Sequence, residues 1–274
     1  IGARLGALPL NSAESLGSYR AGEIAAPNDS GDGHVTAVWG PTGAPGRSTV
    51  ALGLAASIAR GGESTLLIDA DCYGASLAQM LAILDDVSGI MAACRDVNLG
   101  RNRQLNEHLL RVTPHLDVLT GIPRPDLWHH IRPAALARIV DQARSTHRHI
   151  IIDCSFDISV EGPLSPTPAE IARVMIEQAG STIVVVLPEP MCLARMLRAT
   201  ADIKDLAQAM LLVINGMRPS LGWNPTQIAD MVFHVTGEQP AAFLPFDAAN
   251  CDQALLGGEP ITESAPDSPL AKSL

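Results

Sequence analysis

"VWGPTGAPGRSTVALGLAASIA" spans residues 38–59. A short apolar run enters a turn rich in Gly and Pro, and the turn opens into a run rich in Ala and Leu. This order predicts strand, tight turn, helix. In that layout successive backbone N–H groups and a helix N-terminus converge on phosphate oxygens. The general pattern is G-x-x-x-x-G-K-[ST]. Its glycines let the backbone approach the anion, its lysine bridges phosphates, and its hydroxyl holds Mg²⁺. Gly43, Gly46, Arg47, Ser48 and Thr49 fall in that register, with Ala44 and Pro45 inside the loop. Two positions depart from it. Pro41 stands at the first glycine position, with Gly40 one residue early, and Arg47 stands where lysine is expected. Pro45 also removes one N–H from the loop.

Working outward, apolar strand segments recur at 34–39, 64–69, 116–120, 148–153, 181–187, 210–215 and 241–244. Helical patterns fall at 48–60, 76–84, 132–145, 168–179, 190–208 and 225–237. Alternation of this kind predicts an α/β fold with a doubly wound, mostly parallel sheet of seven or eight strands. Hydrophobic residues are 47% of the chain and aromatics 3%, so the core must be built from Ala, Val, Ile and Leu. Strands buried on both faces take that composition. Residues 1–33 are rich in Gly, Ala, Ser, Pro and Asn and read as a linker from an upstream region; 34–274 read as one domain.

Three acids close strands. "LLIDADCYGAS" carries Asp69 and Asp71, and "HIIIDCS" carries Asp153. Ligands of open parallel sheets sit beyond the carboxyl ends of strands, so all three acids can face the loop, where a divalent cation and an attacking water would sit. A single such Asp reads as a turn former. Three in this order beside the loop favour a nucleotide site.

The net charge of −10 opposes non-specific binding to DNA or an anionic membrane. Residues 95–149 are the exception: nine Arg against five acids give +4 (9 − 5), which leaves −14 on the rest, and six of the eight His lie there. That segment reads as a solvated helical surface or as a docking face for an acidic partner. The five cysteines include no C-x-x-C pair and read as packed, reduced thiols. No apolar run is long enough to cross a membrane.

The order of these segments resembles the ParA/MinD group of P-loop NTPases with a deviant Walker A loop, written K-G-G-x-G-K-T-T. "TGAPGRST" resembles that loop, "LLIDADCYGASLAQML" the D-x-D segment and "IIIDCS" the Walker B strand. "LLVIN" resembles the late strand whose Asn approaches the base, and "FLPFDAANCDQALLGGEPITESAPDSPLAKSL" resembles the C-terminal block of the CpaE/TadZ and actinobacterial septum-site (MinD-like) branch. The resemblance covers about 34–274. It implies an ATP-dependent spatial regulator that takes ATP or ADP with Mg²⁺ and dimerises over two nucleotides. It implies a protein partner in pilus or secretion assembly or in septum placement, and a cytoplasmic protein recruited to a pole, septum or inner membrane face. Matched by position, Ser48 would hold Mg²⁺, Asp153 would bind it through water, Asp69 would support the metal shell, and Asp71 would position the attacking water. Arg47 would stand for the catalytic lysine, and Asn215, Pro245 and Asp247 would line the base.

The signature lysine that reaches across the dimer falls at Thr42. Phosphoryl transfer depends on positioning and charge stabilisation, so these two changes should slow hydrolysis more than binding. Alternatives stay open: a partition ATPase of ParA type, a non-hydrolysing scaffold, or a metal-cluster reductase with Cys94 and Cys154 at a dimer axis. "SPLAKSL" is too short and weakly charged for a membrane-binding helix, which leaves membrane contact open.

Overall fold

The computed structural model describes residues 33–83, 87–101, 104–159 and 167–274. The linker expected at 1–33 lies outside them except for Gly33, whose N–H donates to Arg144 O at 2.8 Å. Eight strands form one sheet: β1 (His34–Trp39), β2 (Thr65–Ala70), β3 (Leu110–Thr113), β4 (Leu116–Leu119), β5 (His149–Cys154), β6 (Ser181–Val186), β7 (Met210–Met217) and β8 (Ala242–Pro245). The spatial order is β3-β4-β2-β5-β1-β6-β7-β8. All pairs are parallel except β3 with β4.

The seven strands expected from sequence are present. β3 was not expected. "LRVT" is four residues at an edge, half-buried with Arg111 exposed, and it carries too short a pattern to stand out.

Strand residues alternate between two apolar layers. In β5, Ile150 and Ile152 face one layer and Ile151 the other. Helices cover both faces, which is why the strands read as continuous apolar runs. The Ile151 face carries α1 (Arg47–Arg60), α2 (Leu77–Met80), α8 (Ala248–Gly257), α9 (Ile261–Ser264) and α10 (Pro269–Ser273). The other face carries α3 (Gly89–Asn98), α4 (Pro133–Arg144), α5 (Ala169–Gln178), α6 (Pro190–Leu206) and α7 (Pro225–Thr236).

Two helical expectations need correction. The helix expected over 76–84 stops at Met80. Ala82 turns to φ 49° and the Ile83 N–H returns to Ala78 O at 2.8 Å, a Schellman-type end formed without glycine. α3 at 89–98 was not among the expected helices; it is capped by the Ser88 side chain accepting from Met91 N.

The winding fixes the site. From β1 the chain crosses through α1 to β2 on one side, whereas β6 lies on the other side of β1. This reversal opens a crevice beyond the carboxyl end of β1, where such sheets bind ligands.

Candidate nucleotide site

The 40–46 loop leaves β1 at that crevice. Ala44 N donates to Pro41 O at 3.1 Å, and Val50 N to Gly46 O at 2.9 Å begins α1. Gly43 and Gly46 have φ of 77° and 99°, which L-residues adopt at a cost. Both also stand where a Cβ would collide with a side chain, Arg195 at Gly43 and Asn215 at Gly46.

Three long-range side chains hold the loop's carbonyls. Arg195 Nη1 donates to Thr42 O at 2.9 Å, Cys192 Sγ to Gly43 O at 3.1 Å and Asn215 Nδ2 to Pro45 O at 3.1 Å. Sequence reasoning placed Asn215 beside the base; in the structure its amide grips the loop. Arg195 and Cys192 were missed. Nothing in α6 marks them, because their partners lie about 150 residues away.

The N-terminus of α1 has no side-chain cap and no acid in its first turn. Its first N–H groups therefore have no internal partner, and the helix dipole adds partial positive charge there. An anion satisfies both.

Arg47 folds back over the loop. Nη1 donates to Gly40 O at 3.3 Å, and Nη2 faces Asp71 Oδ2 at 3.5 Å. Asp71 Oδ1 accepts from Tyr73 N at 2.9 Å and Gly74 N at 3.0 Å. Asp71 thus closes a turn and pairs with the loop's cation.

Asp153 is fully buried, and neither carboxylate oxygen has a hydrogen-bond partner of standard geometry. Burial pushes its pKa well above the usual carboxylate value, the neighbouring Asp69 adds to this, and Ser48 beside it eases it. An orphaned buried carboxyl next to a hydroxyl at the mouth of an anion cradle fits a Mg²⁺ bound mainly by phosphates. Among the described residues no group of three or more His, Cys, Asp or Glu side chains is placed to hold a metal ion by itself.

Asp69 pairs in register with Asp153 across β2 and β5, yet its carboxylate turns elsewhere. It accepts from Ser76 N and Leu77 N, each at 3.0 Å, and from Asp71 N at 3.3 Å, at the start of α2. Burial raises its pKa to about 7 against the pull of the Leu77 amide. Asp69 is therefore committed to backbone groups behind the crevice.

A clasp joins the two Asp-bearing loops. The Tyr73 hydroxyl donates to Asp157 Oδ2 at 2.7 Å, the Tyr73 and Phe156 rings lie 4.9 Å apart, and Trp39 Nε1 donates to Phe156 O at 3.2 Å. Sequence reasoning missed these residues as well.

At the far side of the crevice, Phe246 N donates to Met217 O at 2.8 Å, which ties β8 to β7. The Arg218 guanidinium lies 5.7 Å from the Phe246 ring centre and pairs with Glu189 at 2.8 Å. Pro245 ends β8. Asp247 Oδ1 accepts from Asn250 at 2.8 Å, while its Oδ2 is buried without a partner.

Cys94 and Cys154 are both buried, and burial pushes Cys94 up to about 12. Neither thiol is exposed at the surface of the chain, which disfavours the cluster-reductase alternative. No helix among the described residues is long and apolar enough to cross a membrane.

No family model matches the sequence, and no curated protein matches it. Solved structures do match. A ParA family ATPase from Chlorobium tepidum TLS superposes with a TM-score of 0.74 at 18% identity, over 89% of this chain and 96% of that one. The cell division ATPase MinD of Pyrococcus furiosus gives 0.70 at 22% identity, over 88% and 94%. The septum site-determining protein MinD complexed with Mg-ADP from Pyrococcus horikoshii OT3 gives 0.67 at 20% identity, over 88% and 92%. The chain shares their fold.

Proposed function

We propose that this chain binds ATP or ADP with Mg²⁺ at the Gly43–Thr49 cradle and acts as a nucleotide-dependent spatial regulator of the ParA/MinD kind, with slow hydrolysis. The observation that carries it is the uncapped start of α1 beside the orphaned Asp153 and the Ser48 hydroxyl. Phosphate oxygens would take the free amides of α1 and of the loop, whose carbonyls Arg195, Cys192 and Asn215 hold on its far side. Mg²⁺, when bound, would be held by Ser48 and through water by Asp153, and would neutralise phosphate charge. Asp71 would orient the attacking water once Arg47 releases it. Pro245 and Asp247 would flank the base. Asp69 would support the site from behind.

Slow turnover follows from two residues. Arg47 is a longer, planar donor already paired with Asp71, and Thr42 offers no cation to a partner subunit. The developing charge then has few fixed stabilisers. Two similar folds carry nucleotide in their printed descriptions, MinD with Mg-ADP and a putative plasmid partition protein from Borrelia burgdorferi B31 with AMPPNP, which supports this ligand class. We extend the reading to a homodimer over two nucleotides, with a protein partner in septum placement or in pilus or secretion assembly of the CpaE/TadZ type. The Arg47–Asp71 pair also favours a second reading, a nucleotide-binding scaffold that does not hydrolyse. The net charge of −10 disfavours a DNA-partition role.

Titration calorimetry with ATP, with and without Mg²⁺, tests the assignment. Ser48→Ala should weaken the Mg²⁺-dependent part of binding by about tenfold, as loss of one of few protein ligands would. Absence of binding at millimolar nucleotide would overturn it.

A further inference from the structure

A cleft of about 980 Å³ opens between α3 and the 3₁₀ turn at Pro125–His130. Its floor is apolar, built from Met91, Ala92 and Leu127, with the exposed Leu99 at one edge. Its rim carries two arginines, Arg95 and Arg132, and two imidazoles, His129 and His130. Acids on the same elements are already taken. Asp96 is held by Arg101 and His108, each at 3.1 Å, and Asp126 by Arg124 at 2.6 Å. Arg95 and Arg132 have no ion pair among the described residues.

We propose that this cleft docks an acidic, amphipathic segment of a partner protein, with alternating apolar and carboxylate side chains. Two observations select that chemistry. First, the cleft presents Arg95 and Arg132, neither in an ion pair among the described residues, on a chain of net charge −10, so an acidic ligand meets repulsion elsewhere and unpaired positive charge here. Second, the floor rewards apolar side chains, which an inorganic anion or a DNA duplex lacks. Met91 suits such a floor, since an unbranched thioether adapts to different apolar partners.

The cleft continues toward the carboxyl end of β2. A second cleft of about 220 Å³ is lined by Asp69, Gln79, Thr120 and Gly121 and shares Ser88 and Pro123 with the first. A segment docked on α3 would therefore lie beside the carboxyl end of β2, where Asp69 stands. Docking itself requires no nucleotide, so it stands or falls separately from the nucleotide reading.

The test uses the full chain without nucleotide and a fluorescein-labelled peptide of alternating Glu and Leu, read by anisotropy. Binding should occur and should weaken several-fold from about 50 to about 300 mM salt, as screening shortens the field. Arg95→Glu with Arg132→Glu, both exposed positions, should weaken it by about tenfold or more through like-charge repulsion. Arg148→Glu, at the amino end of β5, should leave it within about twofold. Circular dichroism melts of the variants confirm that they fold. Absent binding, unchanged affinity in the double variant, equal loss in Arg148→Glu, or equal binding of a Lys–Leu peptide would overturn the proposal. Tighter binding of a labelled DNA duplex than of the acidic peptide would overturn it in favour of a nucleic-acid face.

Discussion

Arg47 Nη2 lies 3.5 Å from Asp71 Oδ2, and both side chains are largely buried. The loop's one cation is therefore held by the carboxylate proposed to orient the attacking water. Nucleotide must draw Arg47 away before either group can act. Asp71→Asn should free the guanidinium, tighten ATP binding about three- to tenfold, since partial release of one ion pair corresponds to about 1 kcal/mol, and lower turnover. Weaker binding in that variant, measured by calorimetry, would show that Asp71 aids binding.

Arg47→Lys should raise hydrolysis modestly, because a compact ammonium follows the developing phosphate charge better than a planar fork. Combined with Thr42→Lys, it should raise hydrolysis more than either change alone. Phosphate-release assays decide this. Equal turnover in the unmodified chain and the double variant would mean that Arg47 suffices.

Asp153 is a fully buried carboxyl with no hydrogen bond of standard geometry, and burial outweighs the easing by Ser48 and Arg47, so ionising it costs stability in the free chain. Asp153→Asn should raise the Tm of the nucleotide-free protein at pH 8; a gain of about 1 kcal/mol corresponds to roughly 2–4 °C at this length. The same variant should lose the Mg²⁺ dependence of nucleotide binding. A lower Tm would show that the carboxylate has a partner in solution.

Tyr73→Phe removes the hydroxyl that reaches Asp157 and keeps the ring contact with Phe156. One such bond contributes about 0.5–1.5 kcal/mol, so the melt should shift little. Turnover should fall several-fold if the clasp sets the spacing of the Asp71 and Asp153 loops. Parallel loss of Tm and nucleotide affinity would assign Tyr73 a general packing role.

Asp117, on β4 next to the edge strand β3, is a pH-sensitive anchor. Burial raises its pKa, but hydrogen bonds from Arg111 at 2.9 Å and His147 at 3.1 Å outweigh burial and leave it below the ordinary 3.8. A carboxyl depressed by folding stabilises the protein above its unfolded pKa, and that stability is lost as pH falls through the folded value. Asp117→Asn should therefore melt below the unmodified chain at pH 7, and the gap should close as pH drops below about 4. A gap independent of pH would point to lost shape rather than lost charge.

Seven strands, six helical segments and the loop at 40–46 were legible in the sequence. Strands such as "HIIID" are buried on both faces, and burial on both faces leaves a continuous apolar run that needs no distant context. The loop was legible because glycines at left-handed positions, followed by Ser48 and Thr49, are a local requirement of anion binding. The tertiary structure decided the rest. Local pattern could not show that Asp69 turns to the amides of α2 while Asp153, its register partner, is buried beside Ser48 with no hydrogen bond of standard geometry. Nor could it show that Arg47 pairs with Asp71, or that Arg195 and Asn215 grip the loop from α6 and β7. Periodicity reports which face of an element is buried. The direction in which a polar side chain turns depends on what the winding of the sheet brings beside it.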